Sequence, residues 1–191
     1  MTNLRMIYRY PVKGFSGQRL ARVDCLPYTH LPLDRVWALA LDIPGEEFVS
    51  QWQSKRSFFQ LAAHPKLANL QSEFDQDDNK LQILRKGRIV AQGNLDTQAG
   101  RQVLETFFVA FLQAQGARPR IVRAEKGSAF SDQKHAYISL INLASVRDIG
   151  RVLTQELNPM RFRGNLYIDG GEPWQEWSWL GAVGAGSRRA K

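Results

Sequence analysis

The chain has 191 residues, 43% hydrophobic and 23% charged, which is the makeup of a soluble globular protein with one large domain or two small ones. Its net charge of +8 suits an anionic ligand, but the Lys and Arg are scattered and the aromatics are not interleaved with them as stacking platforms require, so no nucleic-acid partner is expected. No apolar run can span a bilayer, no signal peptide is legible, and a single Cys excludes an internal disulfide, so a reducing, cytoplasmic setting without membrane association is expected.

Residues 4–12 are rich in Ile and Tyr and predict a first strand, closed by Pro11-Val12-Lys13-Gly14. Ala21, Val23 and Cys25 alternate with Arg22 and Asp24, the pattern of a half-buried strand. Residues 34–42 read as a strand buried on both faces, turned by Pro44-Gly45 and returned as a hairpin from Phe48. Residues 67–74 alternate again, and residues 81–84 and 89–91 predict a hairpin around Lys86-Gly87. A helix follows, capped by Asp96 or Thr97, with Val103, Leu104, Phe107, Phe108, Phe111 and Leu112 at helical spacing and Gly116 as its stop. Residues 120–124 are a short strand and residues 127–134 a polar loop. Residues 136–141 are a strand, and Asn142 caps a second helix running through Leu157. Many short strands with two helices predict a mainly β class, a β-barrel with appended α-helices. A soft boundary falls near residues 93–97 or near Gly127.

The candidate functional residues are basic or lie at turns. Arg163, between Phe162 and Gly164, presents a guanidinium fork suited to phosphate or carboxylate, and Gly164 would let a ligand approach the backbone; Arg161 is the alternative, and either could be a surface ion pair. Lys13 is a ligand cation or a solvated turn residue. Arg35 lies at a strand mouth or pairs with Asp34 or Asp42. Asn142 is adequately explained as a helix cap, Asp169 as a turn residue, and His30, His64 and His135 as structural or surface groups. No metal-ligand spacing is present, so no metal-binding residue is assigned.

Three landmarks in order, Tyr10-Pro-Val-Lys-Gly14, Leu33-Asp-Arg-Val-Trp37 and Phe162-Arg-Gly-Asn-Leu-Tyr-Ile-Asp169, resemble the MOSC family, named for the C-terminal domain of molybdenum cofactor sulfurase. Ile138-Ser-Leu-Ile-Asn-Leu-Ala-Ser-Val146 is similar to that family's strand-to-helix entry. More narrowly, the chain resembles the subgroup with an N-terminal β-barrel domain, to which the mitochondrial amidoxime-reducing component belongs. The resemblance implies residues 1–95 as that barrel domain, and residues 96–191 as a helix-containing MOSC domain incomplete at its C-terminus. It implies a molybdenum cofactor, a molybdopterin with a phosphate tail, held between two domains, with Lys13, Arg35, Asn142, Arg163 and Asn165 as its binding residues. Pyridoxal phosphate is not an expected cofactor.

The implied activity is an oxidoreductase that removes oxygen from small N-hydroxylated substrates, fed by an electron-transfer protein of the ferredoxin, flavin or haem type. The family's reducing members supply a Cys thiolate to the metal downstream of the Trp-rich stretch. Here no Cys follows Trp179, and Cys25 lies elsewhere, so neither a metal ligand nor a catalytic residue is assigned. The alternative is a non-catalytic molybdopterin-binding or carrier module. Residues 182–191, rich in Ala, Gly and Arg, lack the apolar strands that would close a second barrel, and a truncated or frame-shifted tail is expected there.

Overall fold

A computed structural model describes residues 1–42, 52–113, 118–135 and 137–180. The predicted Pro44-Gly45 turn, the return from Phe48, the stop at Gly116, the strand start at Ala136 and the tail at 182–191 lie outside the described residues. The strands are β1 (Asn3–Arg9), β2 (Gln18–Leu20), β3 (Trp37–Asp42), β4 (Gln71–Asp75), β5 (Lys80–Arg85), β6 (Arg88–Asn94), β7 (Arg118–Arg123), β8 (Leu140–Asn142) and β9 (Leu166–Asp169). The helices are α1 (Gln98–Leu112) and α2 (Leu143–Val152). The protein is therefore mainly β with two α-helices among the described residues, and those strands do not close into a barrel. It divides into two compact units, a larger one of residues 8–138 and a smaller one of residues 1–7 and 139–191. The expected boundary at residues 95 and 96 falls inside the larger unit.

In the larger unit β3 pairs antiparallel with β7, and β4, β5 and β6 form an antiparallel meander. Lys86 and Gly87 both take positive φ, 51° and 74°, so β5 and β6 are joined by the two-residue turn whose twist matches the strands. Thr97 starts α1 by accepting the Gly100 N–H at 3.1 Å. Leu104, Phe108 and Leu112, four residues apart, are the buried stripe of α1, whereas Val103 is exposed. That stripe packs in one core with Phe15, Trp37 and Ile83. The helix can lie this close to β6 because Gly93 meets Gly100: a Cβ on Gly93 would collide with the Gly100 carbonyl, and one on Gly100 with the Asn94 backbone.

Among the described residues β7 pairs only with β3, leaving its other edge open. That edge is blunted. Pro119 has no N–H to offer, and the Ile121 N–H donates to the Glu105 carboxylate at 2.7 Å. Replacing Glu105 with Ala leaves a buried donor without its acceptor. Glu105→Ala is expected to destabilise the protein by about 1–3 kcal/mol in urea unfolding, while Glu105→Gln, which keeps an acceptor oxygen, loses much less. Equal losses from both variants would contradict the assignment.

Five expectations give way here. The strand expected over residues 67–74 begins at Gln71, after the 3₁₀ turn Pro65–Asn69, and the one expected over residues 136–141 begins at Leu140. Residues 21–25 form no strand, and Ala21 and Cys25 are exposed: alternation marks a half-buried strand only where a partner strand exists. The strand predicted from Asp34 begins at Trp37, because Leu33 and Arg35 take φ of 60° and 55°, a left-handed conformation no strand admits. The second helix stops at Val152 rather than at Leu157, since Thr154 turns left-handed at φ 54° and leaves Leu153 56% exposed.

In the smaller unit Asn3–Ile7 of β1 pairs antiparallel with β9, and β9 runs parallel to β8. The parallel pair is bridged by α2, a βαβ unit. Tyr167 is fully buried and its hydroxyl accepts the Gly164 N–H at 3.1 Å, closing the chain's entry to β9.

Candidate functional site

The first two sequence landmarks lie side by side in the larger unit. The Arg35 N–H donates to the Tyr10 carbonyl at 2.7 Å, the Trp37 N–H to Pro11 at 3.0 Å, and the Lys13 N–H to Trp37 at 2.8 Å. The backbone thus holds the Lys13 and Arg35 segments in register. Asp34, only 3% exposed, ties them further: Oδ1 accepts the Tyr10 N–H at 2.7 Å and Oδ2 pairs with the Arg35 guanidinium. That guanidinium also stacks 5.0 Å from the centre of the Tyr10 ring. Arg35 therefore lies at the strand mouth and is paired with Asp34 as well. His30 stands near this pair; burial pushes its imidazole down, with Asp34 opposing and Arg35 adding to the push.

Lys13 is more deeply placed than a turn residue. Its side chain is 9% exposed, and Nζ donates at 2.6 Å to Asp132, whose side chain is 70% exposed. The ammonium also lies 5.6 Å from the Phe58 ring centroid. Desolvation pushes the Asp132 carboxyl up, but the hydrogen bond and charge of Lys13, with Arg35 and Lys55 beyond, outweigh it and hold the group below its ordinary range. The loop carrying Asp132 is anchored by Phe130, which is fully buried, packs 5.0 Å from Phe58 and donates its N–H to the Arg35 carbonyl at 2.8 Å. The Trp52 indole adds a hydrogen bond to the Ser131 carbonyl at 3.2 Å. A buried ammonium neutralised by an exposed, displaceable carboxylate fits an anionic ligand group such as a phosphate, which offers more oxygens in the same place.

In the smaller unit Asn142 caps α2, its Oδ1 accepting the Ala144 N–H at 3.0 Å. Its amide donates to the Glu172 carbonyl at 3.0 Å and to the Glu176 carboxylate at 2.7 Å. Ser145 gives Glu176 a second hydrogen bond at 2.7 Å, so a carboxylate of this chain sits at the helix N-terminus. Partial burial pushes Glu176 up, but the bonds from Asn142 and Ser145 hold it below its usual range. The Trp-rich segment is fastened alongside: the Trp174 N–H donates to Ser145 at 2.8 Å and its indole to Asp148 at 2.8 Å.

Arg163 caps a short 3₁₀ turn, Pro159–Phe162, at φ 53° and is half-buried, while Arg161 is exposed. Asn165 is fully buried, and its side-chain oxygen accepts from the Ser139 hydroxyl at 2.9 Å and N–H at 3.2 Å, a staple between β9 and the approach to β8. The space beside Gly164 is filled by the Ile141 side chain, so that glycine serves packing within this unit rather than close approach of a ligand. Asp169, expected as a turn residue, is paired with Arg147 of α2 at 2.6 Å and held low by that bond and the Gly170 N–H.

Asp132 and Glu176 were invisible to sequence reasoning. Asp132 reaches Lys13 across 119 positions and Glu176 reaches Asn142 across 34, with no local motif around either carboxylate. Among the described residues no group of three or more His, Cys, Asp or Glu could hold a metal ion, and no helix is long and apolar enough to cross a membrane.

A mainly β chain with a buried basic cluster laced between two N-terminal motifs is the class these observations define. A family model for the MOSC N-terminal beta barrel domain matches residues 1–121. That is more than half of the 191 residues, and the chain belongs to this family. No curated protein matches the chain.

Proposed function

We propose that this protein binds a molybdenum cofactor, with Lys13 and Arg35 taking its anionic oxygens, and serves the reduction of N-hydroxylated compounds by oxygen-atom removal. The observation that carries this reading is Lys13, a nearly buried cation in a family motif whose carboxylate partner is exposed. The bound cofactor would supply the oxygen-atom chemistry; the chain's residues supply binding and electrostatics. Lys13 would exchange Asp132 for a ligand oxygen, and Phe58 beneath it would keep water from one side of the ammonium. Arg35, fixed by Asp34 and Tyr10, would offer its guanidinium as a preoriented donor. By resemblance Asn142, Arg163 and Asn165 are assigned to the same ligand. A small-molecule substrate and a separate electron-transfer protein complete the reading, set in the cytoplasm.

A second reading is a cofactor-binding or carrier module without redox activity. The deciding measurement is molybdenum and pterin per chain after expression in a host that makes the cofactor. Lys13→Ala is expected to lower that content roughly tenfold with the fold retained, and Arg163→Ala tests its assignment in the same way. Cofactor held without turnover of an N-hydroxylated compound by the reduced protein would select the second reading. Equal content in wild type and Lys13→Ala, or none in either, would sink both.

A further inference from the structure

Arg9, at the end of β1, is only 5% exposed. Its Nε donates to Gln18 at 2.8 Å and its Nη2 to Gln76 at 2.6 Å, both neutral amides. Among the described residues no carboxylate is paired with it. Burial pushes its guanidinium below the ordinary value, with the charge of Asp34 pushing back. Arginine remains charged in proteins, so this is a buried cation hydrogen-bonded to neutral amides with its opposing charge on Asp34 outside hydrogen-bond reach, a costly arrangement for stability alone.

Arg9 lines an open cavity of about 540 Å³ whose rim carries Glu73, Asp75 and Asp77, all exposed. Glu73 and Asp75 alternate on β4 and so point to one face, and Asp77 follows in the turn, its N–H donating to Asp75 at 2.9 Å. Among the described residues none of these three carboxylates is paired with a cation. One cavity thus holds at its buried wall a positive charge and at its mouth negative charges, none of them in an ion pair among the described residues. A simple anion would be repelled by the rim, and a simple cation by Arg9. A ligand with both charges satisfies both, with bidentate carboxylate recognition by the guanidinium.

We propose that this cavity binds a small zwitterion of the amino-acid class, its carboxylate on Arg9 and its cationic nitrogen against Glu73, Asp75 and Asp77. The cavity takes this ligand whether or not the chain holds a molybdenum cofactor. Calorimetric titration of the full chain with L-lysine, hexanoate and hexylamine tests it. L-lysine is expected to bind saturably, and each single-charge analogue roughly tenfold more weakly or worse. The combined Glu73→Gln, Asp75→Asn, Asp77→Asn variant is expected to weaken L-lysine about tenfold while leaving hexanoate unchanged or tighter. Arg9→Met is expected to weaken both. The rim variant decides the matter even where Arg9→Met fails to fold, because its three positions are exposed. No saturable L-lysine binding below about 10 mM, hexanoate binding as tight as L-lysine, or an affinity unmoved by the rim variant would each overturn the assignment.

Discussion

Asp34→Ala is expected to destabilise the protein by about 3–5 kcal/mol, read as a fall in the urea midpoint at unchanged slope. The carboxylate is 3% exposed and holds two partners at once, the Tyr10 N–H and the Arg35 guanidinium. Its loss takes from a nearly buried guanidinium its Asp34 counter-charge and from a buried N–H its acceptor, and each of these costs more than the original pair contributes. Asp34→Asn separates the two terms. It keeps an acceptor for the Tyr10 N–H and loses the charge opposite Arg35, so its midpoint should fall between wild type and Asp34→Ala. A loss below about 1 kcal/mol for Asp34→Ala would place this pair with ordinary surface salt bridges and contradict its role as the tie between the two motifs. The same variant also bears on Lys13, whose backbone N–H is anchored on Trp37 in the segment that Asp34 organises.

Gly93→Ala is the second large effect, and its cause is steric. The new methyl would occupy the place of the Gly100 carbonyl oxygen, which belongs to backbone and cannot rotate away. Either β6 or the first turn of α1 must move, and with it the stripe of Leu104, Phe108 and Leu112 that fills the core. Interiors packed to crystal density transmit such a shift rather than absorb it, and a loss of roughly 2–4 kcal/mol follows. Gly100→Ala meets the Asn94 backbone at the same contact and should cost a similar amount. Because both substitutions separate the same two elements, the double variant should lose distinctly less than the sum of the single losses. Strict additivity of the two losses would mean that the helix and the strand do not share this contact. Gly87→Ala serves as the contrast: nothing lies near its Cβ, so its cost reflects only its left-handed φ of 74°.

What could be read from the residues was local. The spacing of Leu104, Phe108 and Leu112 declared α1, Thr97 its start, and Lys86-Gly87 the hairpin, because each signal lies within a few positions of its effect. The family landmarks pointed to Lys13 and Arg35, and the structure lays those two segments alongside each other within the larger unit. The failures share a different cause. Residues 21–25 alternate like a strand, but alternation says nothing about whether a neighbour is there to pair with. The apolar repeat continues past Val152 to Leu153 and Leu157, yet one left-handed residue, Thr154, ends the helix first. Arg9 looks like any outward strand residue between two tyrosines; its burial depends on Gln76, 67 positions away. Charges that are decided by distant partners leave no periodic trace.

The pairing of β1 with β9 sets an order of events for synthesis. Asn3 to Ile7 are made before their partners, Leu166 to Asp169, which come about 160 residues later, at ~5–20 residues per second roughly 10–30 s. By the end of that interval the larger unit, continuous from Tyr8 to Ile138, has the residues of its helix, its meander and the β3–β7 pair in hand, while the β9-facing edge of β1 is still bare. The pairing of β1 with β9 is therefore a late step of synthesis-coupled assembly. A ribosome stalled before residue 166 would present the larger unit with the β9-facing edge of β1 unpaired, the form most exposed to chaperones and to edge-to-edge association.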